Sequence, residues 1–303
     1  MSGHGGSFKV IILALLANLG IALSKFAGAL YTGSASLFAE AIHSSVDCGN
    51  QALLLVGIKA SARPPSPTHQ LGYGREAFFW SFMVAIMLFT LGGAYSVYEG
   101  AHKLSAHEPI ESPVVALAIL AVGVVLESIS FKACLNEVRQ INRFGGMWEW
   151  FKKTTNTDLL VVFTEDLAAL LGLVIAASCV TASWITGDSI YDAAGSIIVG
   201  TLLIVVAATL GVEIKSLLIG ESPATDYRPG IEPIMAKHIP GGKVIALIAL
   251  QTGASEVMVS YKVTHGRISG ARELIDAINA VERDVKTAFP EIRWQFVEPD
   301  IQE

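Results

Sequence analysis

Six apolar runs, each long enough to cross a hydrocarbon core, constrain this chain more than any other feature. A helix needs roughly 20 apolar residues for that crossing. The runs lie near 8–31, 34–59, 75–103, 112–138, 157–186 and 189–217. They are continuous rather than alternating, so membrane-spanning helices are predicted and a strand barrel is disfavoured. Composition agrees: of 303 residues, 52% are hydrophobic and 16% charged, with a mean hydropathy of +0.54. An ordinary soluble domain is less apolar and more charged. A cleavable leader is not expected, because MSGHGGSFK is short and polar and the first run is long enough to stay as a span.

An even number of spans puts both ends on one side. Lys59, Arg63 and Arg75 flank the second connection; Lys132, Arg139, Arg143, Lys152 and Lys153 flank the fourth. The opposite connections carry little positive charge beyond Lys103. The positive-inside rule then predicts cytoplasmic termini. With no organelle-targeting segment before the first run, a bacterial inner membrane is the simplest expectation. Trp148, Trp150 and Phe151 beside Lys152 and Lys153 suit a membrane–water interface. Cys48, Cys134 and Cys179 are isolated and read as small buried residues rather than a disulfide framework or metal clip.

The expected organisation is a six-helix membrane domain over 1–220 and a cytoplasmic domain over 221–303. In the tail, IEPIMAKHI reads as a short helix, and KVIALIALQ and SEVMVSYKV as strands around the turn-like TGA. Val257, Val259, Tyr261 and Val263 alternate with Met258, Ser260 and Lys262, the period of a half-buried strand. Leu274, Ile278, Val281 and Val285 recur at helical spacing, and IRWQFVEPD reads as a last strand. The order α-β-β-α-β predicts a small α+β, ferredoxin-like domain with helices on one face of a sheet. The second connection, ARPPSPTHQLGYGRE, is rich in Pro and Gly and reads as a structured loop.

Within the spans, ionisable residues carry the functional signal, because they are costly there and face a protein interior or a water-filled path. His43 and Asp47 are four residues apart, so they share a helix face. An imidazole and a carboxylate so placed can bind one divalent metal, or can simply join two helices by hydrogen bonds. The fifth span adds Glu165 and Asp166, which point about 100° apart on a helix. Asp166 is the expected ligand, and Glu165 a neighbour, proton carrier or alternative ligand. The second acidic span shifts the reading from a plain hydrogen bond to an intramembrane metal site. Asp158 lies eight residues before Asp166, on roughly the same face and nearer the cytoplasmic end. Glu40, one turn before His43, reads as part of an access path or as an interfacial residue. Glu127 reads as a proton-path residue or a structural donor. Asn18 suits an inter-helix bond, and Lys25 either reaches the interface or pairs with a carboxylate such as Glu40. Glu99 and His102 read as solvated, and Asp192 as a helix-start residue. GGAYS and SIIVG carry small residues at the spacing of close helix packing. No phosphate loop, nucleophile elbow or HExxH stands out, and nothing suggests nucleic-acid binding.

Taken together, GSASLFAEAIHSSVD in span two, the HQLGYGREAFFW loop, TEDLAALLG in span five, the LLIGES exit and the small tail make the chain resemble the cation diffusion facilitator family of divalent-metal transporters. The likeness covers nearly the whole chain. HxxxD, LGYGRE and TEDLAALLG are similar to the branch that holds a mitochondrial zinc transporter and its bacterial relatives. The resemblance implies a homodimer in lipid, a metal site between spans two and five, and exchange of metal for protons by alternating access. It implies zinc efflux from the cytoplasm, with metal and protons as cargo and no obligatory cofactor. His43 and Asp47 match the family's first ligand pair and Asp166 the last. Val162 stands where a further ligand is usual, so Glu165, a water or another residue would complete the set. Manganese, iron, cobalt or nickel are alternative cargoes. A metal-gated channel, a metal sensor or a membrane-embedded hydrolase are alternative functions.

Two regulatory regions depart from the family's metal-binding pattern. His69 matches one ligand of a loop metal site, but Tyr73 replaces another. In the tail, His238 and His265 are sparse, and Glu298 and Asp300 read as surface carboxylates. A dimerising tail with little or no bound metal is expected.

Overall fold

The computed structural model describes residues 3–32, 35–106, 112–142 and 145–301; for 3–6, 28–29, 31–32 and 35–43 it describes the backbone alone. The TGS connection after span one therefore falls largely outside the described residues. All six predicted spans are helical. They are α1 (Gly3–Thr32), α2 (Ala35–Ser61), α3 (Glu76–Met87) running through a π-helical segment (Leu88–Ala94) into α4 (Tyr95–Ala106), then α5 (Pro113–Ile141), α7 (Thr157–Thr186) and α8 (Ile190–Ile219). A short α6 (Met147–Lys153) precedes α7. Among the described residues, five of these spans are long and apolar enough to cross a membrane. The sixth, α2, has its apolar run interrupted by polar residues from Glu40 to Gln51. The chain is thus a helical integral membrane protein carrying a small α+β domain.

The residues divide into two compact units: Met1–Ala60 with Ala77–Lys215, and Ser61–Glu76 with Ser216–Glu303. In the first, α5 packs along both α7 and α1, and α1 touches α7. The opening of α7 is buried over Thr157–Val162 and again at Thr164, Glu165, Asp166 and Ala168. Asn156 caps it by accepting the Leu159 N–H at 3.1 Å, and its Nδ2 donates to Ser7 Oγ at 3.0 Å, tying the starts of α7 and α1. Helix α5 turns Gly123, Glu127, Ser130, Cys134 and Val138 inward, three or four residues apart, as one helical stripe.

The third and sixth spans meet through glycine. A Cβ on Gly200 would lie 2.8 Å from the Gly93 carbonyl oxygen, and one on Gly93 would lie 3.0 Å from that of Gly200. The small residues of GGAYS and SIIVG are therefore where two backbones touch. At the end of this pair, Lys103 Nζ is 3.6 Å from Asp192 and 3.7 Å from Glu99, so Asp192 holds an ion pair besides opening α8. The π-helical segment, which contains Gly93, has no counterpart in the sequence reading. Trp150 also departs from expectation: it is 1% exposed and meets Phe163 edge-on, whereas Trp148 is exposed with Lys152 over its ring. Two residues apart on a short helix, the two indoles point to opposite faces.

The second unit contains α9 (Arg228–His238), β1 (Val244–Gly253), β2 (Glu256–Val263), α10 (Ala271–Ala288) and β3 (Ile292–Pro299), the five elements expected in their expected order. The sheet runs β1-β2-β3, with β2 antiparallel to β1 and parallel to β3. The parallel pair needs a crossover, which α10 supplies. Val257, Val259, Tyr261 and Val263 are buried against Val281 and Val285 of α10, with Leu274 and Ile278 partly buried beside them. The α2–α3 loop folds with this unit. Trp294 Nε1 donates to the Leu71 carbonyl at 3.2 Å, and a Cβ on Gly74 would lie 2.5 Å from the Thr252 carbonyl oxygen, beside the β1–β2 turn. Only a residue without a side chain allows that approach.

Candidate metal-cation site

Helix α7 places three carboxylates in the interior and points each at a different neighbour. Near its start, Asp158 is 3% exposed and accepts from Ser81 Oγ of α3 at 3.4 Å; the same hydroxyl donates to Thr157 at 3.0 Å. Two turns on, Glu165 faces α2. Asn50 Nδ2 donates to its Oε1 at 3.1 Å and Gln51 Nε2 to its Oε2 at 2.7 Å. Asp166 faces α5 and accepts from Ser130 Oγ at 2.8 Å. The split between Glu165 and Asp166 is what a step of roughly 100° per residue dictates. Asp158 and Asp166, eight residues apart, differ by only roughly 80°, yet that is enough to give them different partner helices.

Asp47, on α2, and Glu127, on α5, lie within electrostatic range of Glu165, and Glu127 also of Asp166 and Lys25. Glu127 and Lys25 are buried, as is Asn18. So α1, α2, α5 and α7 all contribute polar side chains to one part of the membrane unit. The side chains of Glu40 and His43 lie outside the described residues. Among the described residues, no group of three His, Cys, Asp or Glu is placed to hold a metal ion together. Val162 is fully buried. His69 stacks on Tyr73 at 4.5 Å with its Nδ1 3.1 Å from Thr68 Oγ1, and the Arg63 guanidinium covers the other ring at 4.2 Å from its centroid.

Four partners of the carboxylates escaped the sequence reading: Asn50, Gln51, Ser81 and Ser130. The first two had a signal, since they follow Asp47 by three and four residues and so share its face. Ser130 follows Glu127 by three in the same way. Ser81 had none. In the tail, Asp300 is held by Lys262 at 2.7 Å rather than standing as a simple surface carboxylate.

Carboxylates turned inward among membrane helices, each met by polar groups of another span, mark a candidate ion site in a membrane protein. Comparison with known proteins gives the family. Residues 11–219 match the cation efflux transmembrane domain. The chain is 36% identical over 295 residues to the proton-coupled zinc antiporter SLC30A9, mitochondrial, of Xenopus laevis, covering 95% of this chain and 52% of that protein. It is 38% identical over 219 residues to the same-named protein of Homo sapiens, covering 72% and 39%. Metal tolerance protein C4 of Arabidopsis thaliana is 33% identical over 219 residues, covering 71% and 48%. This chain belongs to the cation diffusion facilitator family. It spans about half or less of the length of these curated relatives.

Proposed function

We propose that this chain moves a divalent metal cation, zinc first, out of the cytoplasm in exchange for protons, by alternating access. The observation that carries the reading is the satisfaction of Glu165 and Asp166 by neutral donors: two amides and one hydroxyl. A buried carboxylate in a membrane core is strongly disfavoured as an anion unless a proton or a cation neutralises it. A group with those two ways to be neutral is what exchange needs, because metal binding requires the deprotonated ligand and releases its proton. Two of the relatives are named proton-coupled zinc antiporters, which supports the same cargo.

In this reading His43, Asp47, Glu165 and Asp166 take the metal, and Asp158, Glu40 and Glu127 serve access and proton transfer. Protons arriving on the far side compete for the same groups and eject the cation. His43 suits that competition, since an imidazole titrates near ~6.5. The chain works as a lipid-embedded homodimer, without a resident cofactor and without catalysing a chemical reaction. Its tail dimerises and binds little or no metal, and the loop at His69 is structural. The Lys and Arg residues of the second and fourth connections support cytoplasmic termini, and a bacterial inner membrane is the membrane proposed.

The test is metal flux into liposomes holding the purified protein, with and without a pH gradient, for zinc against manganese, cobalt, nickel and iron. Zinc flux that rises with an opposing proton gradient is expected. Metal binding without flux would make the chain a sensor. Flux carrying current at channel rates would make it a channel.

A further inference from the structure

The amides at Glu165 are arranged beyond what a helix staple needs. Asn50 is 1% exposed and Gln51 fully buried, and both spend an N–H on the same carboxylate, one per oxygen. Their carbonyl oxygens, Asn50 Oδ1 and Gln51 Oε1, are buried too and have no hydrogen-bond partner among the described residues. A buried polar atom left in that state calls for a ligand, an ion or a water. Here two such acceptors sit on one helix turn, three and four residues beyond Asp47, and both of their amide groups touch one carboxylate. Two amides beside one acid, each able to present its oxygen where its N–H now sits, supply the donor chemistry of a hard or borderline cation.

We propose that Asn50 and Gln51 are oxygen ligands of the transported divalent cation and that they tilt the site toward oxygen-preferring metals. The proposal rests on the transport reading above. Without metal, the two N–H groups hold Glu165. When a cation arrives at Glu165, it takes the place of those donors. Each freed amide then turns about its terminal torsion, which is broad and roughly two-fold, and offers its oxygen. Carboxylate and amide oxygens then face the cation together. Zinc is content with four ligands, usually rich in nitrogen or sulfur. Manganese favours more ligands and oxygen among them. Asn50 and Gln51 therefore narrow the preference for zinc over manganese and cobalt.

The experiment titrates the full-length protein in detergent with Mn2+, followed by electron paramagnetic resonance, and with Co2+, followed by its visible absorption; Zn2+ is measured by competition. The variants are Asn50→Leu with Gln51→Met, which removes both oxygens, and Asn50→Asp with Gln51→Glu, which keeps the oxygens and removes the N–H groups. For the first pair, Mn2+ affinity should fall by at least ~10-fold, the loss that even outer-shell partners produce. Zn2+ affinity should fall less, and bound Co2+ should move toward the stronger absorption of a four-coordinate site. The second pair should bind Mn2+ as tightly as wild type or more so. Loss of binding in both pairs, or wild-type Mn2+ and Co2+ behaviour in the first, would overturn the ligand role and leave the amides as a staple between α2 and α7. Should the first pair fail to fold, the second still decides, since a staple that needs N–H donors cannot survive it. A wild-type protein that binds none of the three metals would instead overturn the transport reading itself.

Discussion

Carboxylates are held in two ways in this molecule, and the contrast separates its working part from its scaffold. In the membrane unit, Glu165 and Asp166 are met by amide and hydroxyl groups. In the tail unit, acids are met by bases: Asp284 by Lys237 at 2.9 Å and His238 at 2.8 Å, Asp300 by Lys262 at 2.7 Å, Glu76 by Arg63 at 2.8 Å, and Glu256 by Arg293. Each acid of the second set has a fixed base beside it, which suits it to holding structure, and exposed pairs hold it weakly. The first set has no fixed counter-charge among its described hydrogen-bond partners. That leaves a proton or a bound cation to neutralise it, which is what the proposed exchange needs.

The largest effect should come from removing a charge-variable group. His43→Ala and Glu165→Gln should each abolish proton-driven zinc flux into liposomes. Unaltered flux in Glu165→Gln would mean that the neutral-donor carboxylates are also only scaffold, and the contrast would fail. Val162→His sharpens it from the other side by adding a nitrogen ligand one turn before Asp166. Zinc should then gain about tenfold over manganese in competition binding, as one more imidazole favours zinc. Unchanged selectivity would show that the buried Val162 does not face the cation.

A smaller effect is expected where packing alone is at stake. Gly200→Ala puts a methyl group 2.8 Å from the Gly93 carbonyl, and backbone cannot swing aside. A loss of about 1–3 kcal/mol follows from overpacking, seen as a lower melting temperature, with the ratio of zinc to manganese affinity preserved. A variant that melts like wild type would contradict the close approach of the third and sixth spans. The smallest effect belongs to the tail. Hydrogen bonds from His238 and then Lys237 lower Asp284 from 3.8 to about 2. A carboxyl depressed by folding contributes stability that is present above its unfolded value and lost as pH falls through the folded one. Asp284→Asn should therefore melt slightly below wild type near neutral pH, and the gap should close between pH 3.8 and about 2. A gap that persists at lower pH would assign the effect to packing.

Much of the architecture was readable from local pattern. The six apolar runs became helices, and Val257, Val259, Tyr261 and Val263 turned inward together because a strand alternates. Leu274, Ile278, Val281 and Val285 lined one face because a helix repeats. The candidate site was readable only as a list of residue types. That Glu165 and Asp166 would part company followed from helical geometry, but which helix each would meet did not. Asn50 and Gln51 were passed over because amides do not announce a site in sequence. Their meaning appears only when a carboxylate from a helix more than a hundred residues away arrives opposite them.

The chain's own order of residues therefore determined the membrane helices, the α-β-β-α-β tail and the stock of ionisable groups placed at membrane depth. Those depend on hydrophobicity and on periods of two and 3.6, which are properties of neighbouring residues. Tertiary structure alone decided that Asp158 faces α3, Glu165 faces α2 and Asp166 faces α5, that the α2–α3 loop folds with the tail's sheet, and that Gly93 meets Gly200. Each of these joins residues far apart in the chain, and the rotation and approach of packed elements that set them are not encoded in any local window.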